Sequence, residues 1–294
     1  MARIPPHVGI SLMVDPPFLI ATYPLFEDGV VDVVEWSFDI AWDASPIVGW
    51  ASELLKHYSA RKRLIGHGVT LSILTVDADN HHERWFTRFA DEVGKLDYRH
   101  ISEHFGFMLA GVFHQGAPLP VFADETLLDL TRERMRRLQH IAGVPIGLEN
   151  LAFAFGPHEI ERQARFIGDI LKSVDGFLVL DLHNLFCQAK NFERDVTELI
   201  ALYDLSRVKE IHISGGSWSE SGDPMDARPV RRDTHDARVP EEILRVLPQA
   251  LKMCPNVEAV IFERLGDTLT NEHEISHFQE DYHRIRSIVA GVSQ

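Results

Sequence analysis

The sequence predicts a single-domain α/β protein, a (β/α)8 TIM barrel over residues 1–294, and three observations support this. Eight short apolar runs are spread along the chain, and amphipathic stretches of helical character separate them. Continuous apolar strands that alternate with helices indicate a parallel sheet buried on both faces. The length of 294 residues suits one such barrel, which needs roughly 250. A doubly wound open sheet is the alternative, but no G-x-G-x-x-G phosphate loop follows the first run.

The apolar runs give the predicted strands in chain order. They are residues 7–12 (HVGISL), 30–36 (VVDVVEW), 63–71 (RLIGHGVTL), 98–104 (YRHISEH), 144–150 (VPIGLEN), 177–184 (FLVLDLHN), 208–214 (VKEIHIS) and 257–263 (VEAVIFE). Apolar residues at helical spacing give the predicted helices. These are residues 50–60, 82–96, 125–143, 157–174, 195–203, 240–254 and 274–291.

Composition narrows the classes of function and setting. Hydrophobic residues make up 45% and charged residues 25%, which is typical of a soluble globular protein. A net charge of −15 repels polyanions, so nucleic acid is a disfavoured partner. No apolar stretch reaches membrane-spanning length, so we expect a cytoplasmic protein with no membrane partner. The only two cysteines, Cys187 and Cys254, fit a reduced compartment and ordinary packing.

Ionisable and amide side chains close most of the apolar runs. In a barrel of this type, catalytic groups lie at the C-terminal ends of the strands, where the ends of all eight strands meet. The residues at those ends are Glu35, His67, Glu103 with His104, Glu149 with Asn150, Asp181 with His183 and Asn184, His212, and Glu263. So many buried charges would repel one another and lose hydration unless cations neutralised them. The pattern therefore predicts a metal centre.

The loop after the seventh run, residues 214–240, is the longest irregular segment of the sequence. Long irregular loops in compact domains are usually functional. This one carries Asp233-Thr-His235, and in an extended chain both side chains would lie on one side and could bind the same metal. Imidazole and carboxylate ligands without a thiolate fit iron, manganese or catalytic zinc.

Taken in order, these residues resemble the multinuclear iron-dependent oxidase (MNIO) family, domain of unknown function 692, within the xylose isomerase-like barrel superfamily. The matching segments are HGVTLSI, ISEHFGF, GLENLAF, LDLHN, EIHISGG, RRDTHDARVPEEI and VIFER. The resemblance spans nearly the whole chain, from Gly9 to Glu263, and DTHD followed by VP is its most specific part. The chain departs from the family pattern at two places. Many members have Asn at the position of His183, and the common His-Leu-Ala-Gly is His212-Ile-Ser-Gly215 here.

The resemblance implies a cofactor, a reaction and partners. It implies two or three mixed-valent iron ions as cofactor and O2 as co-substrate. The implied iron ligands are His67, His104, Glu149, Asp181, Asn184, His212, Asp233, His235 and Glu263. The implied reaction oxidises a cysteine, or in some members another residue such as aspartate, of a ribosomally made precursor peptide. A small partner protein that binds the leader peptide is also implied.

Further residues near the predicted centre could orient a metal ligand or contact the substrate. They are Glu35, Asp39, Glu103, Asn150, His183, Trp218 and Arg264. Glu35 and Asp39 are expected to accept hydrogen bonds from metal-bound histidines. Arg231, Arg232 and Arg264 could bind a substrate carboxylate. Trp218, with the flexible pair Gly215 and Gly216, could close over a peptide.

Three other functions remain open at this point. An endonuclease IV-like zinc phosphodiesterase uses a similar ligand series, but it would need His at Asn184 and would have to dock on a polyanion. A divalent-metal sugar isomerase or epimerase would use Glu149 and Glu263 for proton transfer. A partner-binding scaffold without activity would gain nothing from unused clusters of carboxylates, which cost stability.

Overall fold

Eight parallel strands close into a barrel in the computed structural model, which describes residues 4–43, 47, 49–76, 80–110, 113–120, 122–220 and 228–292. The strands are β1 (His7–Leu12), β2 (Val33–Trp36), β3 (Leu64–Gly68), β4 (Ile101–His104), β5 (Phe107–Ala110), β6 (Phe113–Leu119), β7 (Ile146–Glu149), β8 (Phe177–Asp181), β9 (Val208–Ile213), β10 (Trp218–Ser219), β11 (Val230–Arg231) and β12 (Ala259–Phe262). The order around the barrel is β1, β2, β3, β4, β7, β8, β9 and β12, and β12 pairs with β1 to close it. The pairs β5–β6 and β10–β11 form small antiparallel sheets in loops.

Helices surround the barrel between the strands. They are α1 (Pro16–Glu27), α2 (Gly49–Ser59), α3 (His81–Val93), α4 (Glu125–Ala142), α5 (Pro157–Lys172), α6 (Leu182–Phe192), α7 (Val196–Ile200), α8 (Glu241–Met253) and α9 (Glu272–Val292). Single 3-10 turns lie at Ala41–Asp43, Leu205–Arg207 and Gly266–Thr268. No helix among the described residues has the length and apolar character that crossing a membrane requires.

The predicted barrel is confirmed, and the open sheet is wrong. Each of the eight apolar runs contains one barrel strand, although most strands are shorter than their run. The sequence analysis missed two helices. One is α1, whose first turn accommodates two prolines and is capped by Asp15, which accepts from the Phe18 N–H at 3.1 Å. The other is α6, which begins directly after β8, so the predicted run 177–184 ends in a helix.

The barrel interior is layered. Apolar residues lie deeper in the barrel, and polar residues lie nearer the C-terminal ends of the strands. Val33, Ile65, Ala259 and Ile261 form a small apolar cluster separate from the main core. Alternate residues of a strand point to the same face. Glu35, His67 and Glu263 each follow one of these residues by two positions, so they face the same interior one layer nearer the C-terminal ends of the strands. The fold therefore points the predicted ligands inward at one end.

Both cysteines are packed in the protein interior. Cys187 lies in α6 and Cys254 follows α8, and each is fully buried. Burial raises the pKa of the Cys187 thiol, which keeps it protonated and unreactive at neutral pH. This agrees with ordinary packing.

Candidate metal centre

Two histidines and one carboxylate face each other at the ends of β3, β4 and β7. The Nε2 atoms of His67 and His104 each lie 3.3 Å from Oε2 of Glu149. Their other nitrogens have fixed partners, because Nδ1 of His67 lies 2.7 Å from the Ser102 hydroxyl and Nδ1 of His104 lies 3.1 Å from the Gly68 carbonyl. A carbonyl accepts only, so Nδ1 of His104 carries the proton and Nε2 is the free lone pair. These three side chains could hold one metal ion.

A second group shares Glu149 with the first. Glu149, Asp181 and His212 also bring their donor atoms close enough for one ion. Asp181 is fixed as the N-cap of α6, where one of its oxygens, Oδ1, accepts from the Asn184 N–H and the other has no hydrogen-bond partner in the described part of the chain. Nδ1 of His212 lies 3.4 Å from Oε2 of Glu263, which brings a further carboxylate to this group. Glu149 could therefore bridge two ions.

Two buried acidic residues lie next to Nε2 of His212. Its Nε2 atom lies 3.0 Å from Oε2 of Glu35 and 3.4 Å from Oε1 of Glu210. Glu210 is in turn paired with His100, whose Nε2 lies 2.9 Å from its Oε2. Among the described residues, Nε2 of His212 and Oε2 of Glu35 have no hydrogen-bond partner, and Glu35, His67 and His212 form a further group whose donor atoms could hold one ion. Glu35 thus lies beside a histidine, as the sequence analysis expected.

The sequence analysis missed His100 and Glu210. Both are fully buried and lie lower in the barrel. Glu210 precedes His212 by two residues, and His100 precedes Ser102 by two, so the period of two along a strand places each pair on one face. Attention to alternate positions within each run, as well as to its last residue, would have found both.

The loop after β9 brings Asp233 and His235 to the same cavity. Nε2 of His235 lies 3.0 Å from Oδ1 of Asp233 and 3.9 Å from Oε2 of Glu263. The expectation of an extended chain here was wrong, because His235 has a left-handed backbone with φ of 51°. The two side chains meet through this turn and not through strand alternation. Residues 221–227 of the predicted loop lie outside the described residues.

His183 is held between two partners and offers no free nitrogen. Its Nδ1 lies 2.7 Å from Oδ1 of Asp233, and the guanidinium of Arg231 lies 3.1 Å from its Nε2. Arginine only donates, so Nε2 accepts and the Nδ1–H donates to Asp233. The Arg231 backbone is itself fixed by Asn191 of α6, through bonds of 2.7 and 2.9 Å. His183 therefore orients Asp233.

Asn184 contributes differently from the charged ligands. Its amide nitrogen donates to Oε1 of Glu149 at 2.9 Å and to the Asn150 carbonyl at 2.8 Å. Its oxygen is buried and has no hydrogen-bond partner among the residues that the structure describes, so Asn184 could offer one neutral oxygen to an ion. Asn150 itself joins β7 to β8, since it donates to the Asp181 carbonyl and accepts from the Asp181 N–H. Asn150 supports the site from behind.

Three of the predicted supporting residues have structural roles. Asp39 accepts from the Val69 and Thr70 backbone and from Trp85, so it fixes the chain after β3 instead of orienting a histidine. Arg264 is 2% exposed and paired with Glu274. Glu103 fills the space above Gly68, where a Cβ would lie 2.2 Å from its Oε2. Burial chiefly, and the negative charge of Asp39, hold the pKa of Glu103 well above its usual range.

The remaining loop residues also differ from expectation in part. Gly215 and Gly216 are buried, and a Cβ on either would lie close to the carbonyls of Arg238 and Arg232, so they allow close backbone packing and do not form an open hinge. Arg232 is exposed. Trp218 is half exposed and pairs across β10–β11 with Arg231, whose guanidinium lies 5.6 Å from the indole ring.

The donor atoms of the centre have lone pairs or protons without protein partners. Buried atoms with no hydrogen-bond partner among the described residues include both oxygens of Glu35, His67 Nε2, Glu149 Oε2, Asp181 Oδ2, Asn184 Oδ1, both nitrogens of His212, His235 Nε2 and Glu263 Oε2. One such buried atom costs roughly 1–3 kcal/mol. So many in one cavity fit a site built for metal ions, which would bind these atoms.

Charges within the cluster shift the protonation of its members. Burial by itself would lower the pKa of His67, but the carboxylates of Glu35 and Glu149 raise it to about 9. Burial would raise the pKa of Glu263, but the charges of His212 and His235 lower it to about 2. Burial, and then the charge of Asp233, hold the pKa of Asp181 well above its usual range. In the metal-free protein, protonated histidines thus neutralise the charge of the carboxylates. Bound metal ions could neutralise the same charge.

Sequence comparisons identify relatives over most of the chain. Residues 33–290 match the family described as RiPP precursor modification enzyme MbnB/TglH/ChrH. A UPF0276 protein of Shewanella sediminis is 24% identical over 276 residues, which cover 90% of this chain and 92% of the relative. A UPF0276 protein of Acinetobacter baylyi is 24% identical over 221 residues, which cover 74% and 71%. The match to a relative from Acaryochloris marina, at 27% identity, covers 55% of this chain and 58% of the relative.

Solved structures with the same fold include sugar epimerases. A D-allulose 3-epimerase from Methylomonas sp. has a TM-score of 0.62 at 14% identity and covers 98% of this chain and 100% of its own. A xylose isomerase-like TIM barrel protein from Mycobacterium smegmatis in complex with magnesium has a TM-score of 0.56 at 16% identity, with coverage of 99% and 98%. At such identities the likeness shows the fold alone. The chain therefore has a TIM-barrel fold similar to that of these structures, and it belongs to the MbnB/TglH/ChrH family of RiPP precursor modification enzymes.

Proposed function

We propose that this enzyme is a multinuclear iron-dependent oxidase that uses O2 to modify a residue of a ribosomally synthesised precursor peptide. Cysteine is the first candidate for the modified residue and aspartate the second. The observation that carries the proposal is the position of Glu149, which belongs to two groups of metal-ligand side chains at once. A carboxylate shared in this way suits adjacent metal ions rather than one isolated ion.

The donor set supports iron. It consists of imidazole nitrogens and carboxylate oxygens, with one amide and no thiolate, and non-haem iron commonly binds such sets. His67, His104 and Glu149 would hold one ion, and Glu149, Asp181, His212 and Glu263 a second. Asp233 and His235 would hold a third beside Asn184. When bound, iron supplies the redox chemistry with O2 that these side chains lack.

The protein's own groups would fix the ligand orientations. Ser102 lies at Nδ1 of His67, and the Gly68 carbonyl accepts from Nδ1 of His104, so both histidines would present Nε2. Oε2 of Glu35 lies 3.0 Å from Nε2 of His212, where it would restrain the orientation of that ring. Partners of this kind typically change metal affinity or activity by roughly 10- to 100-fold. They would let the ligands bind without rearrangement.

Exposed hydrophobic side chains around the barrel mouth support a peptide substrate. Phe155, Trp218 and Leu265 lie in the loops after β7, β9 and β12 and are 56%, 49% and 37% exposed. Phe122, before α4, stacks on Phe155 with ring centroids 4.5 Å apart. Exposed apolar side chains near a site often mark the binding of a peptide or protein.

The setting and partners follow from the same proposal. The 294 residues would act as one domain. A small partner protein would bind the leader peptide and present the rest of the precursor to the barrel mouth. A cytoplasmic location would keep a substrate cysteine reduced before the reaction.

One experiment tests the metal and the reaction together. The protein is purified without oxygen from iron-supplied cells, its metals are measured by elemental analysis, and a Cys-containing precursor peptide encoded beside its gene is co-expressed and weighed by mass spectrometry. We expect at least two irons per chain and a changed peptide mass that requires O2. Protein without iron that leaves the peptide mass unchanged would overturn the proposal. Manganese or magnesium together with ketose epimerisation would favour a sugar epimerase.

A further inference from the structure

A second set of metal-ligand side chains lies on the first turn of α9, in the outer ring of helices. His273, Glu274 and His277 bring one donor atom each within 4.8 Å of the others. The segment is His-Glu-Ile-Ser-His, a spacing that places both histidines on one face of a helix. These residues belong to none of the ligand groups at the barrel mouth.

The two histidine rings are close neighbours on the helix surface. Their ring centroids are 3.8 Å apart, at an interplanar angle of 59°. His273 is exposed, and Glu274 and His277 are half-buried, so an ion could reach the site and keep water on its open side. Two imidazole nitrogens and one carboxylate oxygen are a common ligand set for zinc, nickel and copper.

Glu274 is held in place before any ion binds. Its Oε2 atom accepts from the Arg264 guanidinium at 2.7 Å, and its backbone N–H donates to the Asn271 side chain at 3.0 Å. Arg264 is buried and bonds Thr268 as well. One carboxylate oxygen, Oε2, pairs with Arg264, and a carboxylate has a second oxygen with which it can bind an ion. A fixed ligand loses little conformational freedom on binding, which favours affinity.

We propose that His273, Glu274 and His277 form a surface site for one divalent transition-metal ion of the zinc, nickel or copper class. The H-E-x-x-H spacing also occurs in zinc proteases, where the glutamate acts as a base. Here the carboxylate is neutralised by Arg264 on an open helix surface, so the site binds metal without a hydrolytic role. Arg264, which bonds Glu274 of the surface site, directly follows Glu263 of the barrel mouth in the sequence.

Zinc titration of the iron-loaded enzyme tests this site separately from the barrel mouth. Calorimetry with zinc chloride is expected to show one more zinc per chain in the native enzyme than in the double variant His273→Ala/His277→Ala, with micromolar affinity. The control is His283→Ala, which removes an exposed histidine from the same helix and should keep the extra zinc. Copper bound to the native enzyme should give an electron paramagnetic resonance spectrum with two nitrogen couplings, and one in His277→Ala.

Two results would overturn the surface site. Equal zinc uptake by the native enzyme and the double variant is one, and loss of the extra zinc in His283→Ala is the other. Glu274→Gln should weaken zinc binding by about tenfold, because an amide oxygen is a poorer ligand than a carboxylate. Unchanged thermal melting shows that each variant is folded. Iron content and peptide oxidation report on the barrel mouth, so they can fail while the surface site stands.

Discussion

Two buried carboxylates, Asp39 and Glu149, differ in how the protein satisfies them, although the sequence alone places both near one metal centre. Asp39 accepts from two backbone N–H groups, from the Thr70 hydroxyl and from the Trp85 indole. Glu149 accepts one hydrogen bond, from Asn184, and its other oxygen faces two histidine nitrogens at 3.3 Å. Asp39 is therefore a structural anchor, and Glu149 is a candidate ligand.

This difference gives a general criterion for separating structural from ligand carboxylates. A buried charge must be neutralised or hydrogen-bonded, because leaving it bare costs several kcal/mol. When several protein donors neutralise a buried carboxylate, as they do at Asp39, no ion is needed to satisfy it. At Glu149, a lone pair of the carboxylate faces the lone pair of a His104 nitrogen. A cation between the two atoms would bind both of them.

The largest expected effect is that of Glu149→Gln. Replacing the shared carboxylate with an amide removes a charged oxygen from two ligand groups. We expect loss of at least one metal ion per chain and a fall in peptide oxidation of more than about a hundredfold. Elemental analysis and mass spectrometry measure the two effects. Glu161→Gln, at an exposed position of α5, should change neither, and a Glu149→Gln enzyme with full metal content would contradict the ligand role.

Asp39→Asn should lower the stability of the protein and leave its metal content unchanged. The amide keeps one acceptor oxygen for Thr70 and Trp85 but turns the other into a donor that faces the Val69 N–H, and the charge that strengthens these bonds is lost. Hydrogen bonds to a charged group contribute about 1.5–3 kcal/mol, so we expect a loss of about 2 kcal/mol in the free energy of unfolding. Denaturant titration measures it. Asp43→Asn, which removes only an exposed ion pair with Arg88, serves as the control. Metal loss without destabilisation would reverse the assignment.

Metal binding should release protons and strengthen as pH rises. The pKa of His67 is raised to about 9 in the metal-free protein, so at pH 7 its ring is protonated and the ion must displace that proton. Metal affinity should therefore increase with pH up to about 9, by about tenfold per unit for each proton displaced. Calorimetry in two buffers with different heats of ionisation counts the protons. Binding at pH 7 without proton release would show that His67 is already neutral.

His183→Asn should have the smallest effect of the four. The variant restores the residue common in the related family, but it loses the Nδ1 bond to Asp233 and the contact with Arg231. Asp233 would keep its place beside His235 with less restraint, so we expect full iron content and a fall in activity of about tenfold. His158→Asn, at an exposed position of α5, is the control. Loss of iron in His183→Asn would instead make His183 a ligand.

The strand ends could be predicted because the sheet repeats a simple pattern. An apolar run followed by a polar residue marks a buried strand and its C-terminal end, and eight such ends have only one place to meet. The residues His67, His104, Glu149 and His212 were found in this way, and the structure brings them together, while their role as ligands stays a prediction. The helix that begins at Leu182 was missed because no polar gap separates it from β8.

By itself, the sequence determined the barrel and which ionisable side chains point to its mouth, because both depend on local periodicity. Only the tertiary structure decided which lone pairs remain unfilled, because hydrogen-bond partners come from distant parts of the chain. Trp85 reaches Asp39 across 46 positions, and Arg231 reaches His183 across 48. The left-handed turn at His235 likewise depends on its surroundings. Local pattern therefore selects the candidates, and long-range packing separates ligands from supports.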